Sequence, residues 1–164
     1  MSHYTTVTSD FDGDNKECLI EAIKETWPDA TILQNAPVRG YRGTRTPKAD
    51  IVIRFTNPTQ ETQGNYDIGF TKKADGKYTM VADWGYLHES AADPKTGRRG
   101  SQVINSMLKA KYTEKVIMKK VNSSRVLRGY KNVSRKKDYI VRKNAQGKEI
   151  KYKRLRFVNT KVGN

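Results

Sequence analysis

Acidic residues are almost missing from the last two fifths of this 164-residue chain. Residues 101–164 carry 19 Lys and Arg against 3 Asp and Glu, a net of +16, whereas residues 1–100 carry 13 basic and 14 acidic side chains, a net of −1. A surface this poor in acids cannot neutralise itself, and clustered cations release condensed counterions when they meet phosphates. Cysteine is equally scarce: with Cys18 alone no intramolecular disulfide forms. One cysteine and two histidines also argue against a Cys/His zinc site within one chain. Long apolar runs are absent. No window reaches the ~18 consecutive apolar residues of a membrane span, and the start MSHYTTVTSDFDGD lacks a basic segment followed by an apolar one. A soluble, cytoplasmic protein without membrane contact is expected.

What is present suits one α+β domain. HYTTVTS reads as a β-branched strand and DFDGDN as a turn leading to a helix cap. Leu19, Ile23 and Trp27 then recur at spacings of four until Pro28, which predicts a short amphipathic helix. Residues 30–35 and 50–55 are strand candidates around the Gly-, Pro- and Arg-rich loop APVRGYRGTRTPKA. The clearest local structure is 66–84. Tyr66, Ile68 and Phe70 share one face of a period-2 pattern, and Tyr78, Met80, Ala82 and Trp84 share one face of the next. A two-residue turn at Asp75-Gly76 would set these faces on opposite sides of the sheet. A three-residue loop, with Gly76 left-handed, instead pairs Tyr66 with Trp84, Ile68 with Ala82 and Phe70 with Met80.

After a loop over 85–100, Ser101 caps a helix expected to run to about Val121, followed by strand candidates at 125–133, 138–143 and 149–158. The predicted architecture is an antiparallel sheet with two helices on one face, in the order β-α-β-β-β-β-α followed by basic C-terminal strands. Residues 1–164 are read as a single domain, with 125–164 a basic β extension of it.

The predicted register sets Asp67 opposite Asp83, with Gly69 facing Val81. Like charges about 5 Å apart repel, so a basic side chain from Arg54, Arg39 or Arg42 is expected nearby; a metal or paired-carboxylate catalytic site and a different register are the alternatives. Two carboxylates without a histidine or a third acid make a poor hydrolytic site. The run Asp10-Phe11-Asp12-Gly13-Asp14 resembles a calcium loop only superficially, because its glycine stands fourth rather than sixth. His3 and His88 have no nucleophile at recognisable spacing, and the chain lacks a P-loop, a GxGxxG turn, an HExxH helix and a nucleophile elbow. No catalytic residue, metal or cofactor is assigned, and a non-enzymatic protein is expected.

The C-terminal region interleaves cations with aromatics. Arg125, Arg128, Lys131, Arg135, Lys136, Lys137, Arg142, Lys143, Lys151, Lys153, Arg154 and Arg156 alternate with Tyr130, Tyr139 and Tyr152, and Asp138 and Glu149 are the only acids after residue 124. Cations neutralise phosphates while aromatic faces stack on bases, so RNA or DNA is the expected partner. An acidic protein, or a solvated strand face whose aromatics belong to the core, would give the same pattern.

The segments MSHYTTV, VRGYRG, KADIVIRF, YDIGF and VADWG, in this order, resemble a conserved plastid and cyanobacterial reading-frame family of unknown function, ycf thirty-five, also found in bacteria and cyanobacterial viruses. The resemblance covers most of the chain, including KYTEKVIMKKV. It implies a small protein without established enzymatic activity, located in the cytoplasm, the plastid stroma or, for a viral member, the host cytoplasm. Its shared motifs point to a second surface at Arg39, Tyr41, Arg42, Asp67, Gly69, Asp83 and Trp84, suited to docking on a protein or nucleoprotein assembly. Members of that family carry a second Trp at the position of Gly85 and have a less basic helix and tail.

Overall fold

The computed structural model describes residues 4–40, 47–55, 66–87, 91–124, 129–132 and 138–159. The chain divides into two compact units, Met1–Lys115 and Val116–Asn164. Charge divides at the same place. The first unit holds 16 basic and 15 acidic residues and the second 16 basic and 2 acidic, net charges of +1 and +14.

The first unit is a five-stranded antiparallel sheet in the order β1-β5-β4-β3-β2, built from β1 (Thr5–Asp12), β2 (Thr31–Pro37), β3 (Lys48–Arg54), β4 (Ile68–Lys72) and β5 (Lys77–Ala82). Helix α1 (Lys16–Thr26) links β1 to β2, and α2 (Ser101–Ser123) starts in this unit and ends in the second. The β4–β5 ladder has the predicted register, with Phe70 opposite Met80 and Gly69 opposite Val81. Its loop is also as expected: Lys73 N–H donates to Lys77 O, Gly76 N–H donates to Lys73 O, and Gly76 has φ +83°.

Alternation then sorts the core. Ile51, Ile53, Ile68, Phe70 and Met80 are fully buried on the face covered by the helices, against Leu19 and Ile23 of α1 and Ile104 and Leu108 of α2. β1 shifts register against β5 between Thr8 and Asp12, and alternation from Val7 keeps Ser9 and Phe11 inward. The Phe11 ring makes edge-on contacts with Phe70 and Tyr112, at centroid distances of 6.0 and 5.0 Å. β1 thus runs to Asp12 where a turn was expected, because buried Phe11 still has a strand environment to fill.

The opposite face carries a smaller core. In the row Leu33–Val52–Gly69–Val81 the partners are set by the ladders, and Val38, Ala49, Val52 and Val81 cluster there with Tyr4, Leu33 and Ala36. On straight strands Ala49 would lie about 10 Å along β3 from the residue opposite Gly69. Instead a Cβ at Gly69 would meet Val38 Cγ2 at 2.5 Å and Ala49 Cβ at 2.8 Å. The β2–β3 hairpin therefore bends, at Asn35 with φ 50°, and folds its end over the sheet. Glycine at 69 is what lets it settle.

The second unit contains the end of α2 and two two-stranded ribbons. β6 (Tyr130–Asn132) pairs with β9 (Phe157–Asn159), and β7 (Tyr139–Lys143) with β8 (Glu149–Lys153). The strand expected at 149–158 is therefore two strands with different partners, and of the strand expected at 125–133 only Tyr130–Asn132 is seen among the described residues.

Candidate nucleic-acid interface

The β7–β8 ribbon is the best-defined part of the basic unit. A three-residue turn joins its strands: Asn144 N–H donates to Lys148 O, Gly147 N–H donates to Asn144 O, and Gly147 is left-handed at φ 75°. Asn144 Oδ1 also accepts from Gln146 N and Lys148 N, at 3.0 and 2.9 Å. Asn and Gly supply what such a turn requires. Cross-strand pairing puts Tyr139, Val141 and Lys143 on one face with Lys153, Lys151 and Glu149, and Ile140 and Arg142 on the other with Tyr152 and Ile150. Ile140 and Ile150 are half-buried, while all six residues of the first face are exposed.

Asp138 anchors the base of this ribbon. It is 6% exposed. Its backbone carbonyl accepts from Arg154 N at 2.9 Å, continuing the β7–β8 ladder. Arg154 Nε donates to Oδ1 and Arg156 Nε to Oδ2, each at 2.8 Å. The Arg154 hydrogen bonds hold the Asp138 carboxyl below its ordinary value of 3.8, burial opposes this, and Arg156 adds to the lowering. Arg154 and Arg156 thus bind an internal carboxylate first, although each side chain stays roughly half exposed.

Of the other expected contact residues, Lys131 is exposed on β6 and Tyr130 is 39% exposed. Lys131 pairs with Val158 across the β6–β9 ribbon. Arg125, Arg128, Arg135, Lys136 and Lys137 lie outside the described residues, as do Tyr41, Arg42, His3 and His88. Lys109, Lys111 and Lys115, in the middle of α2, have protein partners. Lys109 donates to Asp10 Oδ2 at 2.8 Å, Lys111 Nζ lies 3.9 Å from Glu25 Oε1, and Lys115 Nζ lies 3.1 Å from Glu25 Oε2 and 3.7 Å from Glu21 Oε2. Burial works to lower the Lys115 pKa, but Glu25 and Glu21 outweigh it and raise it. Helix α2 therefore spends these lysines against the acids of α1 and β1, a pairing that charge counting could not reveal.

Of the family-motif residues, Arg39 and Asp67 are brought together. Asp67 is fully buried. Its carboxylate accepts from Arg39 Nε, Arg39 Nη2 and the Arg39 backbone N–H, at 2.9 to 3.1 Å. It also accepts from Arg54 Nε and Nη2, at 3.2 and 3.1 Å. Arg39 O in turn accepts the Asp67 N–H at 3.0 Å. That backbone bond takes Asp67 away from β5, so the expected pairing of Tyr66 with Trp84 gives way: both lie beyond the strands, and Trp84 opens a 3₁₀ turn, Trp84–Tyr86. Its Nε1 donates to Thr5 O at 2.9 Å. Asp83 and Gly69 are buried as well. Asp67, Gly69 and Asp83, expected on a surface, are thus buried: Val38 and Ala49 of the bent β2–β3 hairpin close on Gly69, and Arg39 and Arg54 on Asp67. Among the described residues no three His, Cys, Asp or Glu side chains lie close enough to share a metal ion, and no helix is long and apolar enough to cross a membrane.

A family model described as protein of unknown function (DUF1257) matches residues 28–125. The chain belongs to that family. The DUF1257 match takes in β2 to β5 and α2, with Arg39, Arg54, Asp67, Gly69 and Asp83, and ends before β6. No curated protein and no solved structure matches the chain.

Proposed function

We propose that this DUF1257 member is a non-enzymatic accessory protein that binds nucleic acid, contacting backbone phosphates through its second unit. The carrying observation is a net charge of +14 on residues 116–164, where one of the two acids, Asp138, is buried under its own arginines. What reaches solvent among the described residues of this unit is a mostly basic surface. The segments VRGYRG, KADIVIRF, YDIGF and VADWG lie within the matched residues and support kinship with the ycf thirty-five reading frames of plastids, cyanobacteria and their viruses. The alternative of docking through the VRGYRG loop and the Asp67/Asp83 face loses Asp67 and Asp83 as contact residues, because both are buried. Metal-dependent chemistry at the same pair loses its footing because Asp67 already accepts from two guanidinium groups.

Binding of a labelled oligonucleotide across a salt series tests the reading. Each phosphate neutralised contributes about −0.9 to the slope of log K against log salt on duplex and about −0.7 on single strands. A slope of about −3 or steeper is expected; a slope near zero would overturn phosphate binding.

A further inference from the structure

Resting on the nucleic-acid reading above, we propose that the β7–β8 ribbon is an insertion element for the major groove of duplex DNA. Its exposed face, Tyr139, Val141, Lys143, Glu149, Lys151 and Lys153, enters the groove.

Shape comes first. Two strands about 4.8 Å apart make a ribbon that a groove roughly 12 Å wide accepts. A turn of only Ala145, Gln146 and Gly147 closes the end without bulk. Five residue pairs span about 14–17 Å, the length of roughly four base pairs.

The two faces are not equivalent. Ile140 and Ile150 are half-buried on one face, beside exposed Arg142 and Tyr152, and the opposite face is exposed at every position. That exposed face carries three lysines and one acid. At its centre Val141 stands directly across from Lys151, an apolar contact for a thymine methyl beside a donor for guanine O6 and N7. Lys143 and Lys153 lie towards opposite ends of the ribbon, within reach of the phosphates that border a groove.

Single-strand stacking fits less well. Tyr139 and Tyr152 are on opposite faces of the ribbon, so they cannot form one platform for successive bases. Duplex RNA fits less well too, since its major groove is deep and narrow.

The test measures the full-length protein by fluorescence anisotropy across a salt series, with affinities for the different probes compared at the same salt concentration. Its probes are a 20-base-pair DNA duplex, the RNA duplex of the same sequence, the single strand, and the DNA duplex with glucosylated 5-hydroxymethylcytosine filling its major groove. Expected is at least tenfold tighter binding to plain duplex DNA than to any other probe. The combined change Lys143→Gln, Lys151→Gln and Lys153→Gln should remove that preference and reduce the salt slope by about 2 to 3. Val141→Asp, which leaves the lysines in place, should weaken duplex DNA binding tenfold while sparing the single strand. All four positions are exposed, and an unchanged circular dichroism melt certifies each variant. Equal affinity for plain and glucosylated DNA, with a steep salt slope retained, would overturn groove insertion while leaving phosphate binding intact. A flat slope on every probe would overturn both.

Discussion

Gly69 lies under Val38, so closely that a single added methyl would sit 2.5 Å from Val38 Cγ2. Ala49 Cβ and Val81 Cγ1 would press on the same methyl at 2.8 and 2.9 Å. Three walls from three segments meet there, which makes this contact the seat of the bent hairpin. Gly69→Ala should destabilise the first unit by about 1–3 kcal/mol, the usual cost of overpacking. Adding Val38→Ala should recover part of the loss, because it removes the nearest atom. Thermal melts of the single and double variants check this; additive losses would show that Val38 is not the obstruction.

The same hairpin is held electrostatically. Asp67 is fully buried, while the Arg39 and Arg54 side chains are 35% and 26% exposed. Removing the acid leaves two partly hydrated cations facing each other, and removing either arginine leaves the carboxylate one remaining cation. Breaking a buried pair costs about 3–5 kcal/mol when the leftover charge is fully buried. Arg39 stays paired with the buried carboxylate when Arg54 is removed, and Arg54 itself is partly exposed, so Arg54→Ala should cost about 1–2 kcal/mol. Arg39→Ala should cost more, since the Arg39 side chain makes three hydrogen bonds to the carboxylate and Arg54 two. Urea melts of both variants would reverse this order if Arg54 were the main partner.

Tyr112 ties α2 to the end of β1. Its hydroxyl accepts from Asp12 N at 2.9 Å, and burial pushes its pKa up from 10.0. Tyr112→Phe keeps the ring against Phe11 and orphans a partly buried N–H, at a cost of about 1 kcal/mol. Tyr112→Ala also opens a cavity and should cost about 3–5 kcal/mol. Hydrogen exchange at Asp12 N–H distinguishes the two causes, because Tyr112→Phe should speed exchange there far more than its effect on the melt implies.

The hairpin register was legible because strand parity leaves two choices and only one puts Phe70 and Met80 on the same face. The like-charge argument likewise led from Asp67 to Arg39 and Arg54. The burial of that cluster was not legible. A bend at Asn35 leaves no trace in a period-2 pattern, and without it Gly69 and Asp67 would be on an open face. The basic region was legible in sign but not in detail. Asp138 meets Arg154 and Arg156 across 16 and 18 residues of sequence, and Lys109 meets Asp10 across 99, separations that no local pattern encodes.

Asp138 gives the second unit a dependence on acid. Its folded pKa is depressed below 3.8, so at neutral pH the folded form gains stability from the ionised carboxylate. That contribution is fully present above pH 3.8, the value for the unfolded chain, and disappears as pH falls through the lower folded value. Protonation would release Arg154 and Arg156 from Asp138. A ¹³C titration of the Asp138 carboxyl should give a midpoint below the ordinary value in the native protein. Arg154→Gln should move that midpoint upward more than Arg156→Gln does, because Arg154 supplies the larger lowering. Equal upward shifts would assign the two arginines equal roles. In Asp138→Asn the two arginines lose their ionic partner at every pH, so its phosphate affinity should rise and the salt slope steepen. A weaker-binding Asp138→Asn variant with an unchanged melt would mean instead that the carboxylate holds Arg154 and Arg156 in the geometry that phosphates need.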